Sequence, residues 1–255
     1  MIEFKYNKKG ELEAREDGKM IGKMNQTPNW LFPNAFKYED KHNIEQEDVN
    51  KEKFIYVYIF DKYFNFESSY FPEWRIKEIE QSISYAEQRD KNNVWLALNY
   101  AVRDLFNISL KELNPRKNES GKLLLDKYYV SLSHSGGRYA VALSSHNVGV
   151  DIQKISEGRS RVLNRESSIW SKKEKEILFQ HKDEFLFEFK LWTAKEAVYK
   201  YLDPKIEFNE DTKHLIDSSK YLSKIYTYDY DYKYAYVSVC SDLVEEGIDP
   251  KFIVK

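Results

Sequence analysis

The stretch YYVSLSHSGGRYAVALSSHNVGVDI, residues 128–152, decides the fold. Tyr128 to Ser133 and Arg138 to Ser144 have strand composition, and His134-Ser135-Gly136-Gly137 between them carries the glycine pair of a tight hairpin turn. Val148 to Ile152 is a further strand. Val148, Val150 and Ile152 share one face of it, and Gly149, Asp151 and Gln153 share the other. An acid thus projects from the side opposite its apolar neighbours, two residues after a glycine that leaves space close to the backbone for a bulky ligand.

Toward the N terminus, FIYVYIF at 54–60 is short and rich in β-branched and aromatic residues, which predicts a buried strand. Ile76, Ile79, Ile83, Val94, Leu98, Val102 and Leu105 recur at helical spacing and predict helix to about Phe106. Asn114-Pro115 and Ser120-Gly121 mark loops around Leu123 to Leu125. Residues 1–52 are polar; Ile2 to Tyr6 alternates as one arm of a hairpin, and an irregular stretch follows with Pro28 and Pro33. Toward the C terminus, Ser171-Lys172-Lys173-Glu174 has the form of a capping box with Ser171 as N-cap, and helical spacing runs to about Leu202. Tyr226, Tyr228, Tyr230, Tyr232, Tyr234 and Tyr236 fall on alternate positions and so on one side of a strand, which a bend near Asp229 to Asp231 would split into a hairpin. A tyrosine-lined core face is the simpler reading than a stacking platform for bases.

The order strand, helix, hairpin, then strand, helix, hairpin predicts an α/β (α+β) fold. It would have two similar α/β subdomains related by pseudo-twofold symmetry, with the site in the cleft between them. The first is residues 1–146, with a polar extension over about 1–52, and the second is residues 147–255.

The chain has 255 residues with Lys+Arg 40 against Asp+Glu 42, a formal net charge of −2, so no chain-wide basic field exists to grip nucleic acid or an anionic membrane. The lone Cys240 cannot form an internal disulfide, and the His and Cys residues lack zinc-ligand spacing. The longest apolar run, Phe54 to Phe60, is far short of a membrane span, and the opening residues lack a signal-peptide core. The expectation is a soluble, cytoplasmic monomer.

Three places can carry chemistry. In LWTAKEAVYK, residues 191–200, Glu196 and Lys200 share a helix face with Trp192. Such a pair is an ordinary ion pair of about 0.2–0.5 kcal/mol, and is also what a magnesium-bound phosphate requires, one hard oxygen and one cation. His134, where a strand enters a turn, is either a structural turn residue or an imidazolium facing phosphate beside hydroxyls and glycine amides. Asp151 is either a strand-ending acid in water or a ligand. Each signal alone leaves both readings open.

Jointly, SLSHSGG, then VGVDI with Asp151 seventeen residues after His134, then WTAKEAVYK, resemble the Sfp-type 4'-phosphopantetheinyl transferases in order, spacing and identity. Trp192, Thr193, Lys195, Glu196 and Lys200 fill the helix signature of that family, and the likeness covers roughly residues 75–240. It implies transfer of the 4'-phosphopantetheine arm of coenzyme A to a serine of an acyl or peptidyl carrier protein, with magnesium required and adenosine 3',5'-bisphosphate released. By the same resemblance, Asp151 and Glu196 hold the ion and Glu196 draws the proton from the attacking serine. Lys200, helped by Lys195, neutralises phosphoryl oxygens; His134 and Ser133 bind coenzyme A phosphates, and Lys122 and Arg89 lie on the nucleotide side. Many members carry Asp-x-Glu on the strand, whereas Gln153 stands here, either as an amide ligand or outside the metal shell. Lys154 to Arg165, with Arg159, Arg161 and Arg165, offers positive charge for an acidic carrier protein. Two other classes stand beside this one: a non-catalytic carrier-binding module, and a magnesium-dependent nuclease, whose strand-borne Glu-x-Lys the helical Glu196 and Lys200 do not reproduce.

Overall fold

The computed structural model describes the backbone of residues 2–6, 12–16 and 19–23, and residues 53–61, 70–155, 163, 167–182, 186–203, 208–209, 212–230 and 235–255. The chain opens with an antiparallel meander, β1 (Ile2–Tyr6), β2 (Leu12–Glu16) and β3 (Lys19–Lys23), so the arm expected at 2–6 is the first of three strands. Pro28 and Pro33 lie outside the described residues, as do Arg159, Arg161 and Arg165.

The next strand, β4 (Ile55–Phe60), is buried along its whole length because it separates two cores. Tyr56, Tyr58 and Phe60 face one, while Ile55, Val57 and Ile59 face the other. This is why the run shows no apolar-polar alternation. Two helices follow, α1 (Glu73–Glu80) and α2 (Tyr85–Phe106), divided where the spacing alone predicts continuous helix. The break is at Ser84, which stays extended and accepts a hydrogen bond from the Glu87 amide as the N-cap of α2. Val94, Leu98, Val102 and Leu105 then pack with Ala97 and Ala101 onto the first sheet.

That sheet has the order β12-β4-β8-β7-β6-β5, adding β5 (Arg116–Lys117), β6 (Leu123–Leu124), β7 (Tyr129–Ser135), β8 (Arg138–Ser144) and β12 (Lys251–Val254). β7 and β8 are joined by Gly136 and Gly137 alone, both at positive φ, 56° and 79°. This is the hairpin turn that favours right-twisted strands. β7 therefore runs two residues further than expected, and His134 is a strand residue opposite Tyr139 rather than a turn residue.

The second sheet has the order β10-β11-β9, from β9 (Val148–Lys154), β10 (Ile225–Tyr230) and β11 (Ala235–Ser241). Helices α3 (Lys172–Gln180) and α4 (Phe187–Leu202) precede β10, and the short α5 (Asp242–Glu245) follows β11. Ser171 caps α3 with the reciprocal Glu174 contact that the capping box requires. The β10–β11 hairpin forms as expected, but its tyrosines divide: Tyr226 and Tyr230 enter the core between the sheets, whereas Tyr236, opposite Asp229, faces α4. The turn changes the parity that an unbroken strand would keep. Tyr232 and Tyr234 lie outside the described residues.

The packing is thus four layers: α2, the six-stranded sheet, the three-stranded sheet, and α3 with α4. Two devices join the two halves of the chain. β12, from the far end of the chain, pairs in parallel with β4 of the first sheet. At the β7–β9 seam, Ser131 Oγ accepts from the Val150 amide at 2.9 Å and Ser135 Oγ accepts from the Lys154 amide at 3.1 Å. These alternate serines supply β9 with the partners that a neighbouring strand would give its edge. No helix among the described residues is long and apolar enough to cross a membrane.

Candidate functional site

Ser133, the middle serine of that seam, reaches a side chain instead of the backbone. Its hydroxyl donates to Asp151 Oδ1 at 2.6 Å, and Lys200 Nζ donates to the same oxygen at 2.7 Å. Asp151 is 1% exposed, and its Oδ2 is buried without a hydrogen-bond partner among the described residues. A buried carboxylate oxygen left so costs about 1–3 kcal/mol or more. The position therefore suits a group that brings positive charge or a proton donor.

Gly149 sets the distance between β9 and α4. A Cβ placed there would lie 2.0 Å from the Ala197 carbonyl oxygen and 2.5 Å from the Tyr201 amide nitrogen. The space expected for a ligand is occupied by the helix itself, and the glycine lets α4 approach closely enough for Lys200 to meet Asp151. The helix runs antiparallel to β9. Near its start, Lys190 lies 3.9 Å from Asp229 and over the ring of Tyr236, which is level with Gln153, whereas Tyr201 near its end covers Gly149. At about 1.5 Å per helical residue and about 3.3 Å per strand residue, the five residues from Tyr201 back to Glu196 match the two from Gly149 to Asp151. The half-buried Glu196 is therefore level with Asp151, one turn from Lys200 on the same stripe.

Gln153 lies on this face too. Its amide nitrogen donates to Ser135 Oγ at 3.2 Å and to the Lys154 carbonyl at 2.9 Å, which directs the amide oxygen the other way. Among the described residues, no three His, Cys, Asp or Glu side chains form a metal-holding group.

His134 reaches solvent, yet the protein around it desolvates the ring and holds it below the ordinary imidazole range; Asp90 opposes this shift and Lys200 adds to it. The charges acting on it come from Asp90 and Glu87 on α2, Lys200 on α4, Asp151 on β9 and Arg75 on α1, so these elements converge on the ring. Asp90 Oδ1 also accepts from Tyr139 Oη at 3.1 Å and from Arg89 Nη2 at 3.2 Å. Arg89 is thereby linked to His134 through Asp90.

Two expected residues are placed elsewhere. Lys195 is fully buried, donating to Glu174 Oε2 at 2.7 Å and to the Ile216 carbonyl, and Glu174 Oε1 in turn accepts from Ser218. It lies about 140° around the helix from Lys200 and binds α4 to α3, so its ammonium is directed at Glu174 and not at the face that carries Lys200 and Asp151. Lys122 donates to Asn147 Oδ1 at 2.8 Å and to the Lys200 and Tyr201 carbonyls at 3.0 and 3.5 Å. Sequence reasoning passed over Asp90, Arg75 and Ser131, and took Ser135 only as one of the hydroxyls beside His134. The alternation of serines in SLSHS was the one local signal for the last two.

Residues 147–245, from β9 to α5, match the sequence model of the 4'-phosphopantetheinyl transferase superfamily. A curated 4'-phosphopantetheinyl transferase, gsp, of Aneurinibacillus migulanus is 29% identical over 109 residues, covering 38% of this chain and 40% of that protein. The chain thus spans about two fifths of the length of that relative. The resemblance carried by VGVDI and WTAKEAVYK is borne out.

Proposed function

We propose that this protein transfers the 4'-phosphopantetheine moiety of coenzyme A to a serine of an acyl or peptidyl carrier protein. The observation that carries this reading is the Asp151 carboxylate, with Oδ1 held by Lys200 and Ser133 and Oδ2 buried without a hydrogen-bond partner among the described residues. Asp151 Oδ2, Glu196 and the amide oxygen of Gln153 would hold a magnesium ion, which when bound supplies charge against the pyrophosphate. Two carboxylates completed by substrate oxygens and water are an ordinary set for that ion.

The residues of the chain do the rest. Glu196 takes the proton of the attacking serine, because a hydroxyl at neutral pH requires a base. The serine oxygen bonds to the β-phosphorus of coenzyme A, the bond from that phosphorus to the bridging oxygen breaks, and its electron pair leaves with adenosine 3',5'-bisphosphate. Lys200 turns part of its charge from Asp151 to the phosphoryl oxygens as negative charge develops there. Ser133 keeps Asp151 in place, and His134, with Arg89 behind Asp90, faces the coenzyme A phosphates.

The test is incubation with a fluorescent coenzyme A conjugate, magnesium and an apo carrier protein. Label on the carrier serine supports transfer; carrier binding without label, or cleavage of a nucleic-acid strand, overturns it. Gln153→Glu should lower the magnesium concentration needed for half-maximal rate. An unchanged requirement would remove Gln153 from the ligand set.

A further inference from the structure

The loop before β6 and the last turn of α4 come from opposite halves of the chain and are joined by hydrogen bonds that neither half can make alone. Lys122 Nζ reaches Asn147 Oδ1 and the carbonyls of Lys200 and Tyr201, and Asn147 Nδ2 donates to the same Tyr201 carbonyl at 2.8 Å. One turn on, Asp203, the left-handed C-cap of α4 at φ 48°, accepts from Asn118 Nδ2 and from Ser120 Oγ, each at 2.6 Å. Asn118 also closes its own loop by accepting from the Lys122 amide at 2.8 Å.

The last carbonyls of a helix have no partner within it and carry the negative end of its dipole, so an ammonium placed on them is favoured twice, by hydrogen bonding and by charge. Lys122 is half-buried and its donors are directed at these oxygens. One of those oxygens belongs to Lys200, whose side chain holds Asp151.

We propose that Lys122, with Asn118 and Ser120, is a positioning clamp: it fixes the last turn of α4 so that Lys200 is presented to Asp151, and it does not bind coenzyme A. The catalytic consequence rests on the transferase reading above; the clamp does not. Lys122→Met keeps the aliphatic stem and removes the ammonium. Expected results are a kcat about tenfold lower with the KM for coenzyme A within about twofold, and amide hydrogen exchange at Tyr201 to Asp203 about tenfold faster. Asp203→Ala breaks the clamp from the helix side and should reproduce the same split, which keeps the test open if Lys122→Met folds poorly. A KM for coenzyme A raised about tenfold with exchange unchanged would make Lys122 a nucleotide ligand and overturn the proposal. So would variants that alter neither kinetics nor exchange. Should the unaltered protein label no carrier, the transferase reading falls, and the exchange measurement still decides the clamp.

Discussion

His134 shows how a single residue ties the site to pH. Desolvation holds the free imidazole below its ordinary range, against the opposing pull of Asp90. A phosphate brought against the ring raises that pKa, and binding then takes up a proton. The sign follows: affinity for coenzyme A strengthens as pH falls through the bound-state pKa, by at most about tenfold per pH unit, and levels off below the free-state pKa. Calorimetry in two buffers of different ionisation enthalpy near about pH 6.5 should register proton uptake, and His134→Gln should abolish it. No uptake in the unaltered protein would place the phosphates away from this ring. The lysines at this scale teach a different lesson. Lys195 and Lys200 sit in one signature decapeptide, yet only Lys200 meets Asp151. Helical geometry separates their directions in the sequence already, but the partner that claims Lys195, Glu174, is set by how α3 packs, which no local pattern encodes.

Between elements, Gly149 governs the β9–α4 approach. Gly149→Ala would drive a methyl against the Ala197 carbonyl and the Tyr201 amide, both backbone atoms that cannot swing aside. Overpacking of this kind costs about 1–3 kcal/mol, a fall in Tm of roughly 5 °C for a chain of this size. Activity should fall further than stability, because the displaced helix carries both Glu196 and Lys200. Gly247→Ala is the control: φ is +86° with nothing within 4 Å, so it introduces backbone strain without a clash at the helix. Thermal unfolding and transfer rate measured on both variants separate the effects, and a Gly149→Ala enzyme of full activity would show that the spacing is not critical. The alternation of VGVDIQ made the two faces of β9 legible, and SKKE made the start of α3 legible. What fills the gap above the glycine was not, because Ala197 and Tyr201 are some fifty residues away and sequence spacing does not report which helix packs on which strand.

At the level of the whole molecule, the site depends on a sheet that does not contain it. The core between the sheets takes Ile55, Val57 and Ile59 from β4 and Val148, Val150 and Ile152 from β9, so the apolar face behind Asp151 is completed by the first half of the chain. β12 extends this dependence: Phe252 stacks on Tyr228 at 4.4 Å, Ile253 enters the α2-side core, and the Lys255 amide donates to the Ile59 carbonyl at 2.9 Å. Parallel pairing between strands nearly two hundred residues apart leaves no periodicity in the sequence, which is why neither this strand nor the four-layer packing could be read there. A chain ended after Pro250 loses these contacts and leaves β4 as an unpaired edge. Removing side chains of this size from a core costs about 3–5 kcal/mol, and the exposed edge should promote aggregation. Since the core is shared, the truncated protein should still unfold in one transition, with amide protection lost in β9 and β11 as well as in β4 and β8. Loss of protection confined to the six-stranded sheet, with β9 unaffected and transfer retained, would show that the two halves stand independently and that the second half alone shapes the site.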